Sequence, residues 1–155
     1  MQISARVDYA LRAMTELAVA WSEDPARLEK ADALATRQEI PARFLESILG
    51  QLRKAGLVVS QRGAEGGYRL ALPPEQISVA AIIRVLDGPL GAVRSEAPED
   101  AVYAGPAEHL RTVWVATRAA MRSVLENTTL ADVVAGRTTE QMDALLASPG
   151  AWDRR

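Results

Sequence analysis

Cysteine is absent from all 155 residues. This chain's own side chains therefore cannot make a disulfide, a thiol nucleophile or a thiolate-held metal or iron–sulfur centre. Histidine occurs once, at His109, and no Ser-His-Asp arrangement can be argued from spacing. A metal site combining Glu108 and His109 with Asp8 or Asp32 is disfavoured, because neighbours on a helix point about 100° apart. Long apolar runs are missing too: stretches such as Ile82-Ile83 and Val133-Val134 fall far short of the ~20 residues a membrane helix needs, so no membrane partner is expected. The opening residues Met1 to Arg6 carry charge where a secretion signal needs an unbroken apolar stretch, which predicts a cytoplasmic protein. There is no internal repeat and no low-complexity tract.

What is present is the make-up of one ordinary globular unit, 48% hydrophobic and 25% charged, large enough for a core without metal or disulfide staples. The net charge of −2 argues at first against a nucleic-acid partner, since neutralised phosphates supply most of such affinity. Its distribution argues the other way. From Arg37 to Arg69 six cationic side chains face three anionic ones, a net of +3, whereas from Pro73 onward eight face eleven, a net of −3. A DNA reader with a separate acidic body has this imbalance, and so does a solvated charged face.

Val7, Ala10, Leu11, Met14, Leu17, Ala18 and Trp21 form the apolar stripe of a first amphipathic helix, broken by Ser22-Glu23-Asp24-Pro25. A shorter helix is predicted from about Lys30 to Arg37. After a tight turn, Ile40-Pro41 opens a third helix with Leu45, Ile48, Leu49 and Leu52 inward, and Gly56 caps it. Leu57 to Ser60 and Tyr68 to Leu72 read as two short strands around a glycine-rich hairpin loop, Gln61 to Gly67. Ser78 caps a fourth helix, Val79 to Leu86, which Gly88-Pro89 ends. Gly91 to Gly105 has no period and is expected to be a long loop. A helix from Pro106 to Asn127, expected to be the longest, is followed by a short one that Thr129 and Asp132 cap and Gly136 closes. The tail beyond Thr138 is weakly helical to Ala147 and then frays.

A short helix, a turn, a helix with a polar outer face and then a glycine-rich hairpin is the order of a winged helix-turn-helix, whose second helix enters the major groove of double-stranded DNA. With the four aliphatic residues turned inward, Ala42, Arg43, Glu46 and Ser47 face outward and can reach base edges, while Gln51, Arg53 and Lys54 are placed for phosphates. Arg62, at the mouth of a loop with Gly63, Gly66 and Gly67, is expected to project toward a minor groove, the glycines letting the backbone come close to DNA. An ordinary amphipathic helix with a solvated face is the plainer alternative. A nucleotide-phosphate cradle is disfavoured because the glycine loop joins two strands and opens no helix. In the long helix Leu110, Val113, Trp114, Thr117, Met121 and Val124 leave more apolar surface than a body of this size covers, which predicts a homodimer.

Three stretches carry a resemblance. Met1-Gln2-Ile3-Ser4 with Tyr9 to Met14, then Phe44-Leu45-Glu46-Ser47-Ile48-Leu49-Gly50-Gln51-Leu52-Arg53-Lys54-Ala55-Gly56-Leu57-Val58, then Arg62-Gly63-Ala64-Glu65-Gly66-Gly67-Tyr68-Arg69-Leu70, resemble the Rrf2 family of bacterial transcription regulators, the group that includes IscR and NsrR. The match runs to about Thr139 and takes in Thr129 to Val133. It implies a mainly α fold with a small β-hairpin wing, and a dimer joined by the long helix. Each recognition helix and wing would contact half of a roughly palindromic operator, with repression the expected outcome, and Arg43, Glu46 and Ser47 would face the groove with Arg62 as the wing residue. On this reading residues 1–88 are the winged helix-turn-helix, 89–105 the loop at the family's sensor position, 106–138 the dimerisation helix with its short return helix, and 139–155 a tail.

Many family members hold an iron–sulfur cluster on three cysteines in the loop before the long helix, but residues 91–108 here have none, Glu108 standing about where the last is expected. No cofactor is expected, and the loop is left to bind a small-molecule effector or nothing. A winged-helix protein-interaction module without sequence-specific DNA binding is the rival class.

Overall fold

The computed structural model describes residues 2–154. Helix α1 (Ala5–Glu23) starts where the Ser4 hydroxyl accepts from the amide of Val7, and it buries Val7, Ala10, Ala13, Met14, Leu17, Ala18 and Ala20. Leu11 and Trp21, expected on the same stripe, are half-buried at its margin. Helices α2 (Ala31–Arg37) and α3 (Ala42–Lys54) follow, joined by a turn in which Glu39 takes a left-handed conformation with φ 52°. Strands β1 (Val58–Gln61) and β2 (Gly67–Leu70) pair antiparallel, Val58 opposite Leu70 and Gln61 opposite Gly67. Helix α4 (Val79–Asp87) is capped by Ser78.

These elements enclose one core in which Met14, Leu34, Leu45, Leu49, Leu52, Leu70 and Ile82 have no solvent exposure. Local signals act as expected at three ends. Gly56, at φ 76°, closes α3: its amide donates to the Arg53 carbonyl and that of Leu57 to the Leu52 carbonyl, so two orphan carbonyls are satisfied. In α6 (Leu130–Ala135) the Thr129 hydroxyl accepts from the Asp132 amide, the Asp132 carboxylate accepts from the Thr129 amide, and left-handed Gly136 ends the helix. Thr139 caps α7 (Glu140–Leu146).

Four expectations shift. The second strand starts one residue early and stops at Leu70. The Ala71 amide still reaches the Leu57 carbonyl, but Pro73-Pro74 then turn the chain away. The loop 91–105 contains a two-residue turn pairing Val93 with Glu96, with Arg94 and Ser95 both left-handed, and a 3₁₀ turn at Pro98–Asp100. The long helix α5 (Leu110–Leu125) begins four residues late, because Gly105, at φ 57°, and Pro106 start a tighter 3₁₀ turn that runs to His109. It has 16 residues against 19 in α1, so α1 is the longest described helix.

Behind this body the packing changes. Leu130 of α6 is fully buried in the core beside α1, and the Leu130 amide bonds the Ile77 carbonyl. No residue of α5 is buried. An ion pair from Arg84 of α4 to Glu126, just past α5, ties the helix to the body, and its Arg118 pairs with Glu99 at 2.5 Å.

Candidate nucleic-acid interface

On α3 the 3.6-residue period turns Leu45, Ile48, Leu49 and Leu52 into the core, leaving Arg43, Glu46 and Ser47 exposed along its front half. Arg43, Lys54 and Arg62 are exposed and make no ion pair among the described residues. Arg53 donates to the Ser60 hydroxyl at 3.2 Å and so links α3 to the wing. Between α2, α3 and the wing lies an open, polar cleft of about 450 Å³, lined among others by Lys30, Glu46, Arg53, Arg62 and Gly63. Lys30, Arg53 and Arg62 give its lining three cations against the carboxylates of Asp32 and Glu46.

Two of the positive residues counted in this half are committed elsewhere. The Arg37 guanidinium bonds Glu29 and Glu16, each at 2.8 Å, and the bond to Glu29 above all raises it beyond its ordinary value. Arg69 donates to the Leu70 carbonyl. Gln51, expected to reach a phosphate, is half-buried, and its amide oxygen accepts from Arg6 of α1 at 2.8 Å. The cation at that corner is thus Arg6, which sequence reasoning missed because the residues lie 45 positions apart. Lys30, which meets the wing only across the cleft, was missed for the same reason. Phe44, 58% exposed on α3, was missed because an aromatic is not expected on a polar outer face.

The wing glycines have reasons inside the fold as well. A Cβ on Gly66 would collide with the backbone of residues 61–63, and one on Gly67 would lie 2.6 Å from the Glu29 carbonyl oxygen. Gly63, at φ 104°, needs its conformational freedom for the turn itself.

Residues 3–136 match the sequence profile of the Rrf2 family, described as an iron-dependent transcriptional regulator. The chain belongs to the Rrf2 family. It is 50% identical over 145 residues to the inferred HTH-type transcriptional regulator Rv1287 of Mycobacterium tuberculosis, covering 94% of this chain and 88% of that one. It is also 38% identical over 141 residues to the HTH-type transcriptional regulator CymR of Bacillus subtilis, with 91% and 95% covered. The solved structure of B. subtilis CymR, the global cysteine regulator of that organism, superposes with a TM-score of 0.72 at 37% identity over 89% of this chain and 99% of that chain. T. potens IscR superposes at 0.68 and 32% identity, with 92% and 96% covered. As an Rrf2 protein the chain is a transcriptional regulator, not an enzyme.

The family's iron does not fit the donors here. With no cysteine, the loop and the start of α5 offer only Glu96, Glu99, Asp100, Glu108 and His109, hard or borderline ligands unsuited to an iron–sulfur cluster. Glu99 is taken by Arg118, and Glu108 and His109 stand 3.6 Å apart in open solvent. Among the described residues no three acidic, histidine or cysteine side chains stand close enough to hold an ion, and no described helix is long and apolar enough to cross a membrane.

Proposed function

We propose that the protein binds double-stranded DNA as a homodimer on a roughly palindromic operator and represses transcription there, without an iron–sulfur cluster. The observation that carries this reading is the uncommitted cation set, Arg43 at the start of α3, Lys54 at its end and Arg62 on the wing. Arg43, Glu46 and Ser47 read base edges. Gln51, Arg53 and Lys54 lie along the backbone, and Arg62 with Gly63, Gly66 and Gly67 forms the wing contact.

The dimer rests on α5. Leu110, Val113 and Trp114 are 40, 51 and 37% exposed, and Thr117, Met121 and Val124 continue the stripe. A second copy related by a two-fold axis presents the same stripe and covers it. Between loop and helix lies an apolar cleft of about 360 Å³ lined by Gly91, Ala92, Val93, Trp114, Thr117 and Met121. A small-molecule effector bound there shares three residues with the dimer seam, so it would change the separation of the two recognition helices.

Selection of DNA fragments by the purified protein, followed by titration against salt, tests the reading. The expected result is an inverted repeat bound with log K falling linearly in log salt, by ~0.9 per phosphate neutralised. No enriched sequence and no salt dependence would identify an interaction module instead.

A further inference from the structure

The base of the wing is anchored in the core, Val58 and Leu70 being 1 and 0% exposed, but its outer part, from Gln61 to Glu65, is solvent-exposed. One residue outside the hairpin grips it between these zones. The Glu29 amide donates to the Tyr68 carbonyl at 2.9 Å and the Glu29 carbonyl accepts from the Tyr68 amide at 2.8 Å, making a one-residue third strand beside β2. The absence of a side chain at Gly67 is what permits this approach.

The Glu29 side chain is 7% exposed, the most buried carboxylate among the described ion pairs. One oxygen accepts from Arg37 at 2.8 Å, and the other forms an ion pair with the Arg27 guanidinium at 2.8 Å. Arg37 also holds Glu16 of α1, which accepts a further bond from Gln38 at 2.5 Å. A buried carboxylate is tolerable only when paired in this way, and the pairing fixes its place. The chain of contacts thus runs from α1 through the end of α2 to the strand that carries the wing.

We propose that Glu29 is a positioning residue for the wing: its buried carboxylate, clamped by Arg27 and Arg37, fixes β2 and through it the angle at which the hairpin presents Arg62, just past β1, to the DNA. This rests on the reading of Arg62 as a DNA contact. The Glu29 carboxylate is buried, so its effect on binding passes through the wing and must disappear when the wing contact is gone.

A double-mutant cycle reads this directly. Glu29→Gln keeps the shape and removes the charge. Arg27→Gln, outside the wing, keeps the carboxylate and removes one arm of its clamp, and it carries the test if Glu29→Gln melts early. In otherwise unmodified protein each is expected to weaken operator binding about fivefold or more, with the dimer and far-UV spectrum unchanged. In an Arg62→Ala background each should change affinity less than about twofold. Equal losses in both backgrounds overturn the positioning role and leave the wing contact standing. If Arg62→Ala binds as the parent does, the wing is not in the interface, and this role for Glu29 falls with it.

Discussion

Helices α3 and α5 carry apolar stripes of similar regularity, yet Leu45, Ile48, Leu49 and Leu52 of α3 are 0 or 1% exposed whereas no residue of α5 is buried. The difference lies in what surrounds them. Helix α3 sits between α1, α2, α4 and the hairpin, and its stripe is consumed by one closed core. Helix α5 touches the body along one flank and holds it through the ion pair of Arg84 with Glu126. Periodicity reports that a face must be covered. It does not report whether the cover comes from the same chain.

Placing a charge in the open stripe has the largest expected effect. Trp114→Asp should give monomers by sedimentation and, with the second half-site lost, weaken operator binding by about two to four orders of magnitude. Unmodified protein that sediments as a monomer at micromolar concentration would remove both the dimer and the palindromic operator.

Truncation sharpens the contrast. Leu49→Ala should cost about 2–5 kcal/mol in denaturant unfolding, because it opens a cavity in a closed core. Val113→Ala, made in the monomeric Trp114→Asp background, should stay within about 0.5 kcal/mol. Similar costs at both sites would mean that α5 is packed within its own chain after all.

On the reading face the expected losses are smaller and of two kinds. Arg43→Ala should lower affinity by about 1–3 kcal/mol at particular base pairs and relax the preference there. Arg62→Ala should weaken binding with the fold intact. Unchanged binding by both variants across a panel of operators would place the reading surface elsewhere.

The smallest effect is at the junction of the two regions. Bonds from the Thr129 hydroxyl and amide, with Arg137 beyond them, hold the Asp132 carboxyl below its ordinary value of 3.8. Its contribution is therefore present above that value and lost as pH falls through the lowered folded value. Asp132→Asn should cost about 1 kcal/mol at neutral pH, with the difference from the parent closing in acid. A gap that persists at acid pH would show that the charge is not what matters.

The stripe of α1, the Gly56 cap and the Thr129–Asp132 box were legible because each joins residues three to five positions apart, within reach of one helical turn. The start of α5 was not: Pro106 suits a first helical turn of either pitch, and left-handed Gly105 selects the 3₁₀ form. The exposure of Arg43, Glu46 and Ser47 followed from the inward pattern of their own helix. Arg6, Lys30 and Glu29 were not legible: Arg6 bonds Gln51, Lys30 meets the wing only across the cleft, and no period links residues 16, 29, 37 and 68.

By itself the sequence determined the winged-helix order of elements, the outward face of α3 and the exclusion of a cysteine-held cluster. These follow from local periodicity, caps and the residue types available. Only the tertiary structure decided which cations remain free, why Gly66 and Gly67 must lack side chains, and that α5 ends with its apolar face open. Charges pair and backbones meet according to distances between remote segments, and those distances exist only once the core has closed.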